Sequence, residues 1–239
     1  MITSTMTVRD IALQLPQSTR LFEKFKIDYC CGGNRSLDDA CTSAGIEIDQ
    51  LIEMLETANS AQNVGRDFKN LSLPQLIGHI LETHHVFTRE EMVRIQSLIG
   101  KVVSAHGENH PELQTVATLF QQLSADLTPH MFKEEQVLFP YMLALADAAS
   151  ENRTAPFPPF GTVNNPVRMM KMEHDTAGEI LRELRGVTSD YLTPPDACVT
   201  YKTLYTALEA FESDLHQHIH LENNLLFPRA IELETKLRG

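Results

Sequence analysis

The chain has 239 residues, a net charge of −12 and 42% hydrophobic residues, with no Trp. That length suits one large domain or a small one beside a medium one, with enough apolar residues for a core. The acidic balance argues against nucleic acid or an anionic membrane as partner, and no apolar run reaches the length of a membrane span.

The N-terminus lacks the basic start and apolar block of a secretory signal, so a cytoplasmic protein is expected. Four cysteines, Cys30, Cys31, Cys41 and Cys198, are too few for a disulfide framework in a chain of this size.

Residues 1–60 read as a small helical unit. Helical apolar spacing runs from Val8 to Leu15 and from Leu21 to Phe25, with Pro16 between. Leu37 to Ala44 and Ile48 to Ala58 supply two more short helices, broken by Gly32-Gly33 and Gly45. Residues 61–71 read as a linker, because the stretch from Asn59 to Asp67 is polar, small and weakly periodic.

Residues 72–239 read as four long helices. Ser72, Pro74 and Gln75 form a helix start with a capping box, and the first helix is expected to reach about Ser104. Pro111 opens the second, with Pro129 and Pro140 expected to kink it. Asn165 is the expected cap of the third, which stops near Gly186. Residues 193–196, Thr-Pro-Pro-Asp, are expected to launch the fourth.

The chemistry sits in a repeat. His130-x-x-x-Glu134-x-x-x-Leu-Phe-Pro140 returns as His218-x-x-x-Glu222-x-x-x-Leu-Phe-Pro228. Residues four apart on a helix share a face, so each copy presents an imidazole and a carboxylate to one point. One such pair is as readily a solvated ion pair. Two copies, each preceded by a lone His at nearly equal distance, point instead to metal binding. His85 lies 45 residues before His130, and His174 lies 44 before His218. Four imidazoles and two carboxylates exceed one structural zinc. They suit two ions bridged by both carboxylates, with open positions for a small molecule, and the donor mixture favours iron or manganese.

The neighbouring histidines divide less cleanly. His84 and His85 point about 100° apart, and the apolar stripe does not choose between them. The near-equal half lengths favour His85. His216 and His220 are expected to face away from His218, and His106 and His110 to sit in a solvated loop. Glu135 is expected to turn away from the centre into solvent. His79 stays unassigned. Cys30 and Cys31, too close for an unstrained disulfide, read with Gly32-Gly33 as a reactive or metal-accepting site. Cys41 is expected in the core and Cys198 packed and inert.

These motifs carry a family likeness over nearly the whole chain. Residues 72–239 resemble hemerythrin-like antiparallel four-helix bundles. Asp28-Tyr-Cys-Cys-Gly-Gly33, Glu173-His-Asp175, Pro194-Pro-x-Ala-Cys198 and both His-x-x-x-Glu copies make the chain resemble the iron–sulfur cluster repair di-iron proteins, the Repair of Iron Centres family. The resemblance implies a carboxylate-bridged non-haem centre of two iron ions on His85, His130, Glu134, His174, His218 and Glu222, and it selects His85 over His84. It implies repair of clusters damaged by oxidative or nitrosative stress, through donation of iron or reduction of nitric oxide. The implied partners are damaged iron–sulfur proteins and small gases, nitric oxide and oxygen, and a homodimer is compatible with it. The competing readings are an oxygen or nitric oxide sensor or carrier at the same centre, and a dinuclear hydrolase. A plain carrier has little need for paired cysteines, and no general acid for a hydrolase is evident.

Overall fold

The computed structural model describes residues 2–60 and 68–239 and is all-helical; among these residues no strand forms beyond one isolated bridge between Thr7 and Ser36. The N-terminal unit holds α1 (Val8–Gln14), α2 (Ser18–Lys24), α3 (Leu37–Ala44) and α4 (Ile48–Ser60). Thr7 and Ser36 cap α1 and α3 through their hydroxyls, and Gly45 closes α3 at φ 69°, a left-handed value that favours glycine. Val8, Phe22, Leu37, Leu51 and Leu55 are fully buried at the unit's centre, and Cys41 joins them as expected.

The linker expected over 61–71 lies partly outside the described residues; Phe68–Asn70 forms a single 3-10 turn. Beyond it stand four rods. The first joins α5 (Leu73–His79) to α6 (Val86–His106), and the second joins α7 (Glu112–Lys133) to α8 (Phe139–Ser150). The third is α9 (Asn164–Val187), and the fourth joins α10 (Val199–Leu221) to α11 (Phe227–Arg238). Ser72 and Gln75 form the expected capping box. α6 packs on α7 and α10, and α7 also packs on α9.

Three rods contain a π turn: Ile80–His85, Glu134–Leu138 and Glu222–Leu226. In the latter two the Phe139 and Phe227 N–H groups donate five residues back, to the Glu134 and Glu222 carbonyls. Pro140 and Pro228 follow at once and offer no N–H that would pull the chain back to α spacing. α7 continues through Pro129 to Lys133 as one helix.

Two helix starts differ from expectation. α9 begins at Asn164 rather than being capped by Asn165, because the buried Glu234 carboxylate of α11 accepts from the Val163 N–H at 3.1 and 3.2 Å. A tertiary contact thus replaces the local cap. α10 begins at Val199 with Cys198 as its N-cap; residues 194–197 form a turn before it.

The inward stripe of α7, α9 and α10 steps by three and four residues. On α10 it reads Tyr201, Leu204, Leu208, Phe211, Leu215, and then His218 and Glu222 occupy the next two positions. The apolar core therefore splits into two clusters. One lies among α6, α7, α9 and α10, the other around α5, α8, α11 and the start of α9. The His and Glu layer separates them.

Candidate metal centre

All six predicted ligands converge in that layer, and each is at most 2% exposed. Glu134 places Oε2 3.4 Å from His85 Nε2 and Oε1 3.3 Å from His130 Nε2. Glu222 places Oε1 3.1 Å from His218 Nε2 and Oε2 3.2 Å from His174 Nε2. Across the layer, the Nε2 atoms of His85 and His218 lie 3.2 Å apart, and those of His174 and His130 lie 3.1 Å apart. Two four-residue sets result: His85, Glu134, His218 and Glu222, and His130, Glu134, His174 and Glu222. Both carboxylates belong to both sets.

The backing of the rings explains what this layer can do. His85 Nδ1 donates to Glu135 at 2.7 Å, and His130 Nδ1 donates to Glu173 at 2.8 Å. His174 Nδ1 donates to the Asn223 side-chain oxygen at 3.1 Å. Ionised carboxylates and amide oxygens only accept, so each of these rings keeps a proton on Nδ1, and it is the proton on Nε2 that leaves when a ring becomes neutral or takes a metal ion. Nε2 then points a lone pair inward. The Glu134 and Glu222 carboxylate oxygens are buried without a hydrogen-bond donor. A buried layer of carboxylates and inward ring nitrogens is costly unless protons or metal cations occupy it. The donor set thus fits a pair of bound metal ions, and the chain is metal-binding.

Charges follow the same logic. Burial pushes the His130 ring down, but Glu134 and Glu173 outweigh it and hold the imidazole up at about 10. His85 is likewise lowered by burial yet raised on balance by Glu134 and Glu222. Burial and the Glu222 charge push Glu134 up, but His130 and His85 leave it below the usual carboxylate range. Burial also opposes ionisation of Glu222, yet His218 and His174 carry it well below that range. For His218 burial wins, and its imidazole is lowered. Protons and metal ions compete for one negative pocket.

Several expectations change here. Glu135 does not turn to solvent: it accepts from His85 and pairs with Arg89. Glu173, backed by Lys133, serves His130 from another rod, a relation no local spacing announces. His84 is buried as well as His85, stacked on the His218 ring at 5.6 Å and 8° with Nδ1 on Asp214 at 3.0 Å. His220 is buried rather than solvated, and its Nδ1 contacts the Tyr29 carbonyl at 3.4 Å. His216 is half-buried and paired with Glu23. His110 is held between Glu112 and Asp196, and His106 lies against Tyr201. His79 stacks on Phe68.

The cysteine pair lies beside the centre. Asp28 accepts from the backbone N–H of Cys30 and of Cys31, both at 3.0 Å, and so shapes the loop. A Cβ on Gly33 would meet the Tyr29 carbonyl at 2.6 Å, and one on Gly32 would lie 3.0 Å from Asp28 Oδ2. The glycines therefore serve the turn itself rather than the approach of a ligand. Cys30 is buried in the core cluster of the bundle, and Cys31 is half-buried with Sγ 3.8 Å from the His174 carbonyl. The Cys31 thiol and burial push the Cys30 thiol well up. Both cysteines line a cavity of about 470 Å³ with Glu23, Asp28 and Asp175. Cys198 is exposed, not packed; the Tyr201 N–H and His106 lower its thiol to about 7.

This arrangement, four rods around a buried His and Glu layer, is that of a hemerythrin-type metal bundle. The hemerythrin HHE cation binding domain matches residues 76–230, and a domain of unknown function (DUF542) matches residues 4–59. The chain is 34% identical over 225 residues to the iron-sulfur cluster repair protein YtfE of Yersinia pseudotuberculosis serotype IB, covering 94% of this chain and 96% of that protein. It is 34% identical over 229 residues to the protein of the same name from Dickeya chrysanthemi, covering 94% and 96%. It is 31% identical over 224 residues to a probable iron-sulfur cluster repair protein of Haemophilus influenzae, covering 93% and 95%. The chain belongs to this family of iron–sulfur cluster repair proteins, as its motifs implied. Among the described residues no helix is long and apolar enough to cross a membrane.

Proposed function

We propose that this chain holds two iron ions and restores iron–sulfur clusters damaged by oxidative or nitrosative stress. The observation that carries the reading is the pair of four-ligand sets sharing Glu134 and Glu222. Each set offers two imidazole nitrogens and carboxylate oxygen, a mixture suited to iron. The relatives' names supply the task.

A bound iron pair would supply redox chemistry and an exchangeable cargo. The chain's own part is to hold Nε2 of His85, His130, His174 and His218 inward, to set Glu134 and Glu222 between the two positions, and to keep bulk water out. Cys30 and Cys31 are assigned the passage of iron or electrons between this centre and a client. Their support is the 3.8 Å approach of Cys31 Sγ to the His174 carbonyl and the adjoining cavity. The clients are damaged iron–sulfur proteins in the cytoplasm, and a bound ferrous pair would supply the electrons for reducing nitric oxide. An oxygen or nitric oxide carrier would use the same six ligands without the cysteines.

Metal analysis of the purified full chain, paired with recovery of an aconitase-type enzyme after nitric oxide damage, tests this. Two irons per chain and recovery of the enzyme are expected. Zinc alone, or two irons with no recovery, would overturn it.

A further inference from the structure

The two metal positions are not equally supported. At the His130 and His174 position both rings are backed: Glu173 accepts from one Nδ1 and the Asn223 oxygen from the other. At the His85 and His218 position only His85 is backed, by Glu135. His218 Nδ1 is buried and has no acceptor among the described residues. What His218 has instead is the His84 ring lying parallel on its face. A stacked ring limits tilt but takes no proton, so it neither fixes the tautomer nor raises the basicity of Nε2.

Such backing is what makes an imidazole a strong, oriented ligand, and losing one partner typically weakens metal binding about 10–100-fold. The shared carboxylates cancel in the comparison, since Glu134 and Glu222 serve both positions. The difference rests on the second partner of one ring.

We propose that the His85–His218 position is the exchangeable one, whose iron is handed over, and that the His130–His174 position retains its ion. This rests on the two-iron reading above and names which half of the centre acts as the donor. The surroundings agree with it. His84, with its Nδ1 on Asp214, stands against His218, and its ring meets the half-buried His79 edge-on at 5.4 Å.

The test uses the full chain loaded anaerobically with ferrous iron and challenged with excess of a coloured ferrous chelator. Wild type should carry two irons and release them in two phases of equal amplitude, about tenfold or more apart in rate. Asn223→Ala should speed the slow phase about tenfold and leave the fast phase unchanged. Asn223→Asp, which keeps an acceptor there, should restore or slow it, and so separates ligand backing from a folding defect. Glu135→Ala should speed only the fast phase. Two bound irons leaving in a single phase, or Asn223→Ala acting on the fast phase, would overturn this assignment alone. Fewer than two irons in wild type would take the two-iron reading down with it.

Discussion

Glu134 and Glu222 differ from Glu135 by what stands opposite them, and a substitution series should read that difference. Removing either shared carboxylate takes one anion from both metal positions and leaves two Nε2 atoms without their carboxylate partner. Glu134→Ala and Glu222→Ala should each lose most bound metal. Glu135→Ala keeps all six ligands and loses only the partner of His85, so affinity should fall about tenfold. Metal content after dialysis against a graded chelator distinguishes the cases; equal retention in all three would refute the bridging roles. His85→Ala should lose metal, whereas His84→Ala should retain it, because His84 only stacks on His218.

The pH dependence belongs to the same groups. In the metal-free chain His130 keeps its proton until about pH 10, and His85 is raised as well. Near pH 7.5 an incoming ion must displace those protons. Apparent affinity should therefore rise with pH and level off only near 10. Titration calorimetry of ferrous iron in two buffers of different ionisation enthalpy should show proton release at pH 7.5. Buffer-independent heats would contradict this.

At the scale of elements, the helix ends carry measurable stability. Ser72→Ala breaks the capping box of α5 and should cost about 1 kcal/mol. Glu234 is a larger case. It is 4% exposed and accepts from the Tyr141 hydroxyl, the Thr162 hydroxyl and the Val163 N–H. Glu234→Ala would strand several donors and should cost about 3 kcal/mol or more, against about 1 kcal/mol for Tyr141→Phe. Denaturant melts of the two variants check this; equal losses would mean that Tyr141 alone accounts for the contact.

The π turns are the elements that aim the ligands. The stripe of α5 runs Leu73, Ile77, Ile80 and arrives at His84, while the stripe of α6, read backward from Met92 and Thr88, arrives at His85. One inserted residue in the Ile80–His85 turn reconciles them, so both histidines are buried. An ideal helix would have buried one and exposed the other.

At the scale of the molecule, the N-terminal unit is joined to the bundle by specific contacts. The Tyr29 carbonyl accepts from Asn224 at 3.2 Å, Glu23 pairs with His216, Lys26 pairs with Asp190, and Cys30 packs in the bundle core. A chain beginning near residue 66 keeps every proposed ligand but uncovers His216, His220 and Asn224. It should bind two irons, melt several degrees lower than the full chain, and fail to repair a damaged cluster enzyme. Cys30→Ser with Cys31→Ser should fail in repair while melting close to wild type. Repair by the shortened chain would make the N-terminal unit a stability element only, and loss of iron from it would mean that the two units share one core.

The ligands on His-x-x-x-Glu spacing were legible because a helix turns its spacing into geometry without outside help. The helical stripes, the capping box at Ser72 and the repeat itself are local in the same sense. What crosses between rods was not. Glu173 backs His130, Asn223 backs His174, Glu234 caps α9, and Tyr29 meets His220 and Asn224, each over 40 or more residues. Such pairs depend on how the rods are rotated, and three π turns each shift that rotation by an amount no ideal period contains. Sequence alone thus determined the family, the all-helical architecture and the six inward-facing His and Glu side chains. Only the tertiary structure decided that Glu135 faces His85, that His84 and His220 are buried, that Cys198 is exposed, and that one imidazole of the four stands without an acceptor behind it.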